Sequence, residues 1–166
     1  MKKDPIGYRK NVGVILMRPD GLILMAERLD KAGAWQLPQG GVDRGEDLES
    51  AMWRELEEEL GLSPPQSLCE VLGRGPEVCY DFPPDFKGGI TKRFAGQAQT
   101  LFLLRFNGSD ADIDLTADKH PEFRAISWRR PEEAVSLLWE VKRPVLEATI
   151  AALSAHFAPA TRNHRN

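Results

Sequence analysis

Two apolar runs organise this chain. Val12-Gly13-Val14-Ile15-Leu16-Met17 places a buried strand over Asn11 to Met17, and Leu101-Phe102-Leu103-Leu104 places another over Gln97 to Phe106. After the first run, Pro19-Asp20-Gly21 reads as a turn, so Leu22 to Ala26 returns as the second arm of a hairpin. Trp35-Gln36-Leu37 is a short extended piece ended by Pro38. Gln39-Gly40-Gly41 reads as a loop whose glycines admit unusual backbone angles and close approach by a ligand. Leu68 to Leu72 and Glu77 to Phe82 are expected as strands around a Gly73–Pro76 turn, and Ile113 to Leu115 and Ala125 to Trp128 as shorter ones. Pro83 to Gly89 reads as an exposed loop made basic by Lys87, Lys92 and Arg93. Pro131 suits the first position of a helical turn, and a longer helix is expected from Val141 or Pro144 to Phe157. Strands interleaved with helices, without a regular βαβ rhythm, predict an α/β fold with a mixed β-sheet between helices.

One further helix breaks the rule that helices bury apolar stripes. It is expected from Glu46-Asp47, acids that suit the positive end of a helix dipole, to Gly61, which suits a helix end. Leu48, Ala51 and Met52 begin a stripe at helical spacing, but Glu55 and Glu59 continue it and Glu58 lies beside them. Like charges one turn apart cost roughly 0.2–0.5 kcal/mol per pair. A solvated face is the ordinary fate of a charge run, and Glu57, which points off the stripe, fits it. The other three sit at the edge of a core, where a hard divalent cation with oxygen ligands accounts for them.

Composition narrows the setting. With 166 residues, 42% hydrophobic and 28% charged, the chain suits one soluble globular domain over 1–157, followed by a polar tail, 158–166, expected to be disordered. A net charge of −3 argues against a surface that coats polyanions generally, though not against a local basic site. MKKDPIGYRKN is basic but no apolar segment of signal or membrane-span length follows it. Cys69 and Cys79 have no metal-ligand spacing and read as cytoplasmic thiols. His120, His156 and His164 lack the partners of a zinc site or a Ser/His/Asp triad, and Gln39-Gly40-Gly41 is not a P-loop because no Gly-Lys-Ser/Thr follows.

Gly40, five residues, Glu46, seven residues and then Arg54-Glu55-Leu56-Glu57-Glu58-Glu59-Leu60-Gly61-Leu62 match every fixed position of the Nudix box. The chain therefore resembles the Nudix hydrolases, α/β/α sandwiches that hydrolyse nucleoside diphosphates linked to another group with divalent metal. Gly7-Tyr8-Arg9-Lys10-Asn11-Val12-Gly13, Trp35 to Gly41, Gly96-Gln97-Ala98-Gln99, Pro121-Glu122-Phe123 and Lys142-Arg143-Pro144-Val145 are similar to the RNA pyrophosphohydrolase and dinucleoside polyphosphate hydrolase branch. Three positions depart from that branch: Thr100-Leu101 replace a basic and an aromatic residue, Val141 replaces an aromatic, and Pro76 to Asp81 lacks a tryptophan.

The resemblance implies that Glu55, Glu58, Glu59 and Glu122 hold the metal, Mg²⁺ in the first place and Mn²⁺ in the second. Glu58 and Glu122 are the candidates for taking a proton from the attacking water. Arg54 would pair with Glu46 to hold the loop on the helix, with Gly61 a structural terminus. Arg9, Arg28 and Lys142 are candidate contacts to the 5′ phosphates or leading nucleotides, whereas Lys10, Lys92 and Arg93 read as ordinary surface bases. Gln39, Gly40 and Gln97 are candidates for donating to substrate or shaping the phosphate loop. Trp128, Trp139 and Tyr80 read as packing residues, Tyr80 being nearest the substrate side. The leading function is removal of pyrophosphate from 5′-triphosphorylated RNA, which promotes RNA decay. The rival is hydrolysis of a dinucleoside polyphosphate, and a non-catalytic nucleotide- or RNA-binding module ranks below both. No membrane contact and no protein partner is expected, and the chain is read as a monomer.

Overall fold

The computed structural model describes residues 7–63 and 68–157. Its strands are β1 (Tyr8–Met17), β2 (Ile23–Arg28), β3 (Trp35–Gln36), β4 (Gln39–Gly41), β5 (Cys69–Arg74), β6 (Val78–Asp81), β7 (Gly96–Phe106) and β8 (Phe123–Arg129). The helices are α1 (Leu48–Leu60), α2 (Pro131–Leu137), α3 (Arg143–Ala152) and α4 (Ser154–Phe157). The two apolar runs lie side by side: β1 pairs in parallel with β7 along its whole length, from Tyr8 opposite Gly96 to Met17 opposite Arg105. The other edge of β1 is shared, antiparallel, by β4 at Asn11 to Gly13 and by β2 at Met17. Outward from there β2 carries both β3 and β8, which completes a mixed sheet.

Alternation along the strands sorts the core into two layers. Val12, Val14 and Leu16 of β1, with Phe102, Leu104 and Phe106 of β7, pack against Ala51, Met52, Leu56 and Leu60 of α1. Ile15, Met17, Leu101 and Leu103 point to the opposite face and meet Ala134, Leu138, Val145 and Leu146 from the C-terminal helices. Burying each of the larger aliphatic side chains contributes roughly 1.5–3 kcal/mol. This is the expected sheet between helices.

Helix α1 is bounded as its sequence implies. Asp47 caps its start, with Oδ1 accepting from the Ser50 N–H at 2.8 Å, and Gly61 ends it at φ 70°, a left-handed angle that glycine adopts without strain. At the hairpin, Gly21 turns at φ 85° between β1 and β2.

Four expectations are corrected. Gln39-Gly40-Gly41 is a strand rather than a loop, because its backbone completes the half of the β1 edge that β2 leaves open. The strand expected over Leu68 to Leu72 runs on to Arg74, into the expected turn, through a bulge between Val71 and Gly73, and both β5 and β6 lie antiparallel along one edge of β7. Ile113 to Leu115 form no strand. They follow a 3-10 turn at Asp110–Asp112, and the Asp114 carboxylate accepts from the Thr116 N–H at 2.9 Å, a local bond that competes with sheet pairing. The C-terminal helix is broken: a 3-10 turn at Glu140–Lys142 precedes α3, and Leu153, at φ −113° and ψ 29°, separates α3 from α4. The tail at 158–166 lies outside the described residues. Among those described, no helix is long and apolar enough to cross a membrane, and Cys69 and Cys79 are both free.

Candidate active site

The acidic helix meets the sheet at β4. Gly40 of β4 has no side chain, and the Glu55 carboxylate occupies the space beside it: a Cβ at Gly40 would lie 2.0 Å from that carboxyl carbon. Arg54 holds this arrangement in place. Its guanidinium donates two bonds to Glu46, at 2.9 and 2.8 Å, one to the Gly41 carbonyl at 2.8 Å and one to Glu55 Oε1 at 2.7 Å. Two parallel bonds from a planar fork give the pair direction as well as strength. The Arg54 bonds, with help from the Asp43 N–H, hold the Glu46 carboxyl down to about 2. The pairing of Arg54 with Glu46 that the resemblance implied is therefore present.

Glu59 is the most exceptional side chain of the group. It is 6% exposed, its Oε2 accepts the Gln39 backbone N–H at 2.9 Å, and its Oε1 is buried with no hydrogen-bond partner among the described residues. Burial raises its proton affinity strongly, and the nearby carboxylates of Glu122 and Glu55 raise it further. Glu55 is pushed up to about 7, chiefly by burial, against the opposing pull of Arg54. Glu58 is half-exposed and lies 3.7 Å from Arg54. An orphaned, desolvated carboxylate oxygen among other carboxylates fits a hard cation, which would supply the missing partner. Among the described residues no three such side chains are gathered tightly enough to enclose an ion as they stand, and Glu55 is bonded to Arg54.

These carboxylates define a stability signature for the metal-free protein. The folded state binds the Glu55 proton more tightly than the unfolded chain, whose carboxyl titrates near 4.5. The Glu55 contribution to stability is therefore complete below pH 4.5 and is lost as pH rises to about 7, a loss on the order of 1–3 kcal/mol. Glu46 has the opposite sign and loses its contribution only as pH falls from 4.5 toward 2, so it does not obscure that window. Urea unfolding in chelator at pH 5 and pH 7.5 measures the effect, and excess divalent cation should abolish the decline. Equal stability at the two pH values in chelator would contradict the burial argument.

Beside the carboxylates a cleft of about 1180 Å³ opens on the α2/α3 side of the sheet. Arg28, Gln39, Gln97, Glu122 and Lys142 line it together, so five residues from distant segments converge. A bulge between Glu27 and Arg28 and a 2.8 Å bond from the Leu29 N–H to the Glu122 carbonyl set Arg28 and Glu122 at one end of the β2/β8 pair. Arg28 is engaged bidentately by Asp30, at 2.8 and 2.7 Å. Lys142 is pushed down to about 8 by burial and by the Arg28 charge, with Glu59 opposing. Glu55, Glu58 and Glu59 lie outside the cleft lining, behind Gln39 and Gly40. Arg9 also lies outside it, with its guanidinium laid over Gly41.

Several contributors receive no site role from the sequence. Phe82 stacks on Phe86 at 5.2 Å, and Trp139, 39% exposed, packs on Phe86 at the surface with its ring tilted at 5.3 Å. Trp128 also packs, stacking on Phe106 at 5.8 Å. The Tyr80 hydroxyl donates to Gln97, and Gln99 bridges Asn11 and Gln39. Gln99 shares a strand with the apolar run Leu101 to Leu104, and that is the signal that marks it as a buried polar residue in need of partners.

Comparison with known proteins agrees with this geometry. Residues 7–149 match the NUDIX domain. The chain is 44% identical over 153 residues to the RNA pyrophosphohydrolase of Rhodospirillum rubrum, covering 92% of this chain and 90% of that protein. It is 43% identical over 163 residues to Nudix hydrolase 26, chloroplastic, of Arabidopsis thaliana, covering 94% and 74%. In fold it is similar to the C. elegans Ap4A hydrolase in a binary complex, with TM-score 0.65 at 20% identity and 89% and 98% coverage.

Proposed function

The chain belongs to the Nudix hydrolase family, and from that footing we propose that it is an RNA 5′ pyrophosphohydrolase, converting a 5′-triphosphate end to a monophosphate. The observation that carries the hydrolytic reading is the buried Glu59, with one oxygen lacking a partner among the described residues, set among Glu55, Glu58 and Glu122. The RNA reading draws support from the likeness to proteins named RNA pyrophosphohydrolase over most of both chains. Nudix hydrolases use divalent cations. Here Glu55, Glu58, Glu59 and Glu122 would hold the ion, Mg²⁺ being the hard oxygen-seeking choice and Mn²⁺ the substitute. When bound, it offsets phosphate charge and acidifies a water.

The chain's own residues do the rest. Glu58 is half-exposed and only loosely held at 3.7 Å from Arg54, so its carboxylate is available to take the proton of the attacking water. The water oxygen forms a bond to phosphorus, the bridging anhydride bond breaks, and pyrophosphate leaves with the freed electron pair. Glu122 bridges the carboxylates and the cleft. Arg28 and Lys142 offer positive charge to the phosphates, Arg28 exchanging its bond to Asp30 for one to phosphate. Arg9 over Gly41 and the β4 backbone keep the carboxylate end of the site in register. We place the enzyme, as a monomer, in a reducing compartment such as the cytoplasm, where free thiols like those of Cys69 and Cys79 persist.

Offering the purified protein 5′-triphosphorylated RNA and a diadenosine polyphosphate side by side with Mg²⁺ tests this reading. RNA should release pyrophosphate and turn over faster. Because RNA extends beyond the first nucleotide toward further basic residues, its KM should rise more steeply with salt than that of the dinucleotide. Equal salt slopes with much faster dinucleotide turnover would replace the RNA reading with its rival.

A further inference from the structure

Beneath the cleft, four amide side chains and a phenol form two adjacent polar groups that the chemistry above leaves unused. Gln99 is 3% exposed and Asn11 2% exposed. The Gln99 amide donates to Asn11 Oδ1 at 2.7 Å and to Gln39 Oε1 at 2.9 Å, which uses both of its hydrogens. One step along the same face of β7, the buried Tyr80 hydroxyl donates to Gln97 Oε1. Gln39 and Gln97 thus have their carbonyl ends tied down beneath the cleft. Their NH₂ ends bond to no other described side chain, and both residues line the cleft.

We propose that Gln99 and Tyr80 are positioning residues that fix the amides of Gln39 and Gln97 with their N–H ends toward the substrate, as a preset pair of donors for phosphate oxygens. The inference rests on the reading of the cleft as a phosphate-chain site. An amide free to rotate presents its carbonyl oxygen as readily as its NH₂, and the oxygen repels a polyphosphate. Tying the oxygen from below removes that choice before substrate arrives, so no ordering cost is left for binding. Burial holds the Tyr80 phenol protonated well above its ordinary range, which keeps it a donor at any working pH. The Gln39 backbone N–H also donates to Glu59 Oε2 at 2.9 Å, so β4 ties one of the phosphate donors to one of the carboxylates.

Two measurements test the proposal. In the wild-type protein, side-chain amide exchange read by NMR should find the Gln99 NH₂ protected and the Gln39 and Gln97 NH₂ groups open to water. The latter two should shift on adding the β,γ-imido analogue of ATP. Protection of the Gln39 NH₂ would mean that it donates inward, and that result overturns the proposal. For kinetics, Gln99→Met should raise KM by about 10-fold with kcat nearly unchanged, the loss expected of a weakened bond to a charged group. In a Gln39→Met background the same change should add less than about 2-fold, because Gln99 acts only through Gln39. Equal increments in both backgrounds would reduce Gln99 to a structural residue. Tyr80→Phe should likewise raise KM only while Gln97 is present. If wild type turns over neither substrate, the reading of the cleft fails, and the exchange pattern still decides the amide orientation.

Discussion

Replacing Glu58 with Gln should lower kcat by about 10³-fold, within the range that a general base working beside a metal site contributes. The substitution keeps the side chain's size and removes only its ability to accept a proton or to ligate as an anion. Glu58 is half-exposed and its nearest charged contact, Arg54, stands 3.7 Å away while holding Glu46 and Glu55 much more closely. Stability should therefore stay within about 0.5 kcal/mol of wild type, as for other surface changes. The parallel Glu122→Gln variant separates the two candidates for the base. A larger fall in kcat for Glu122→Gln than for Glu58→Gln would hand that role to Glu122. Undiminished turnover by Glu58→Gln would remove Glu58 from the metal and catalytic set altogether. Rates measured across pH distinguish loss of a base from loss of a ligand, since the first flattens the acid limb and the second raises the metal concentration needed.

Gly40→Ala should be nearly as damaging although it adds one methyl group. That methyl would lie 2.0 Å from the Glu55 carboxyl carbon, so one of the two must move. The β4 backbone is bonded to β1 across Val12 and Gly13, and Glu55 is anchored by an Arg54 that is itself bonded to Glu46 and to the Gly41 carbonyl. The carboxylate is the freer partner and is expected to swing away. Overpacking of this kind costs about 1–3 kcal/mol of stability. Displacement of a site group by about 1 Å can cost on the order of 10²-fold in rate. Calorimetric titration with Mn²⁺ should show weakened binding in parallel with the lost turnover. Wild-type metal affinity and rate in Gly40→Ala would show that the close approach of Glu55 to β4 has no functional weight.

Much of the framework was legible because it is periodic or local. The β1 and β7 runs, the stripe of α1 with its caps at Asp47 and Gly61, and the proline opening α2 all announce themselves within a dozen residues. The glutamates of α1 stood out for breaking that periodicity, and the spacing of Gly40, Glu46 and Arg54 gave them a family. What escaped was long-range or conditional. Gln39 to Gly41 looks like a loop until β1 is seen to have an unfilled edge there. Gln99 meets Asn11 only because two segments far apart in sequence pair in parallel, which no local pattern encodes. The engagement of Arg28 by Asp30 and the placing of Arg9 over Gly41, outside the cleft, are likewise properties of the assembled structure. Phe86 and Trp139 were invisible as a pair because a turn and a helix entrance bring them together.

The parallel pairing of β1 with β7 has a consequence for the order in which the molecule assembles. Asn11 and Gln99 are separated by 88 positions, whereas Gly40 and Glu55 belong to a strand and helix that are neighbours in the chain. Closing a loop of the first kind costs more chain entropy than the second, and such contacts form slowly. The acidic helix can therefore dock on its glycine strand early, while the amide floor of the cleft waits for β7. A partly folded chain would hold the elements that attract a cation without the floor that orients a polyphosphate. Hydrolytic competence is therefore expected to follow the pairing of β7 with β1.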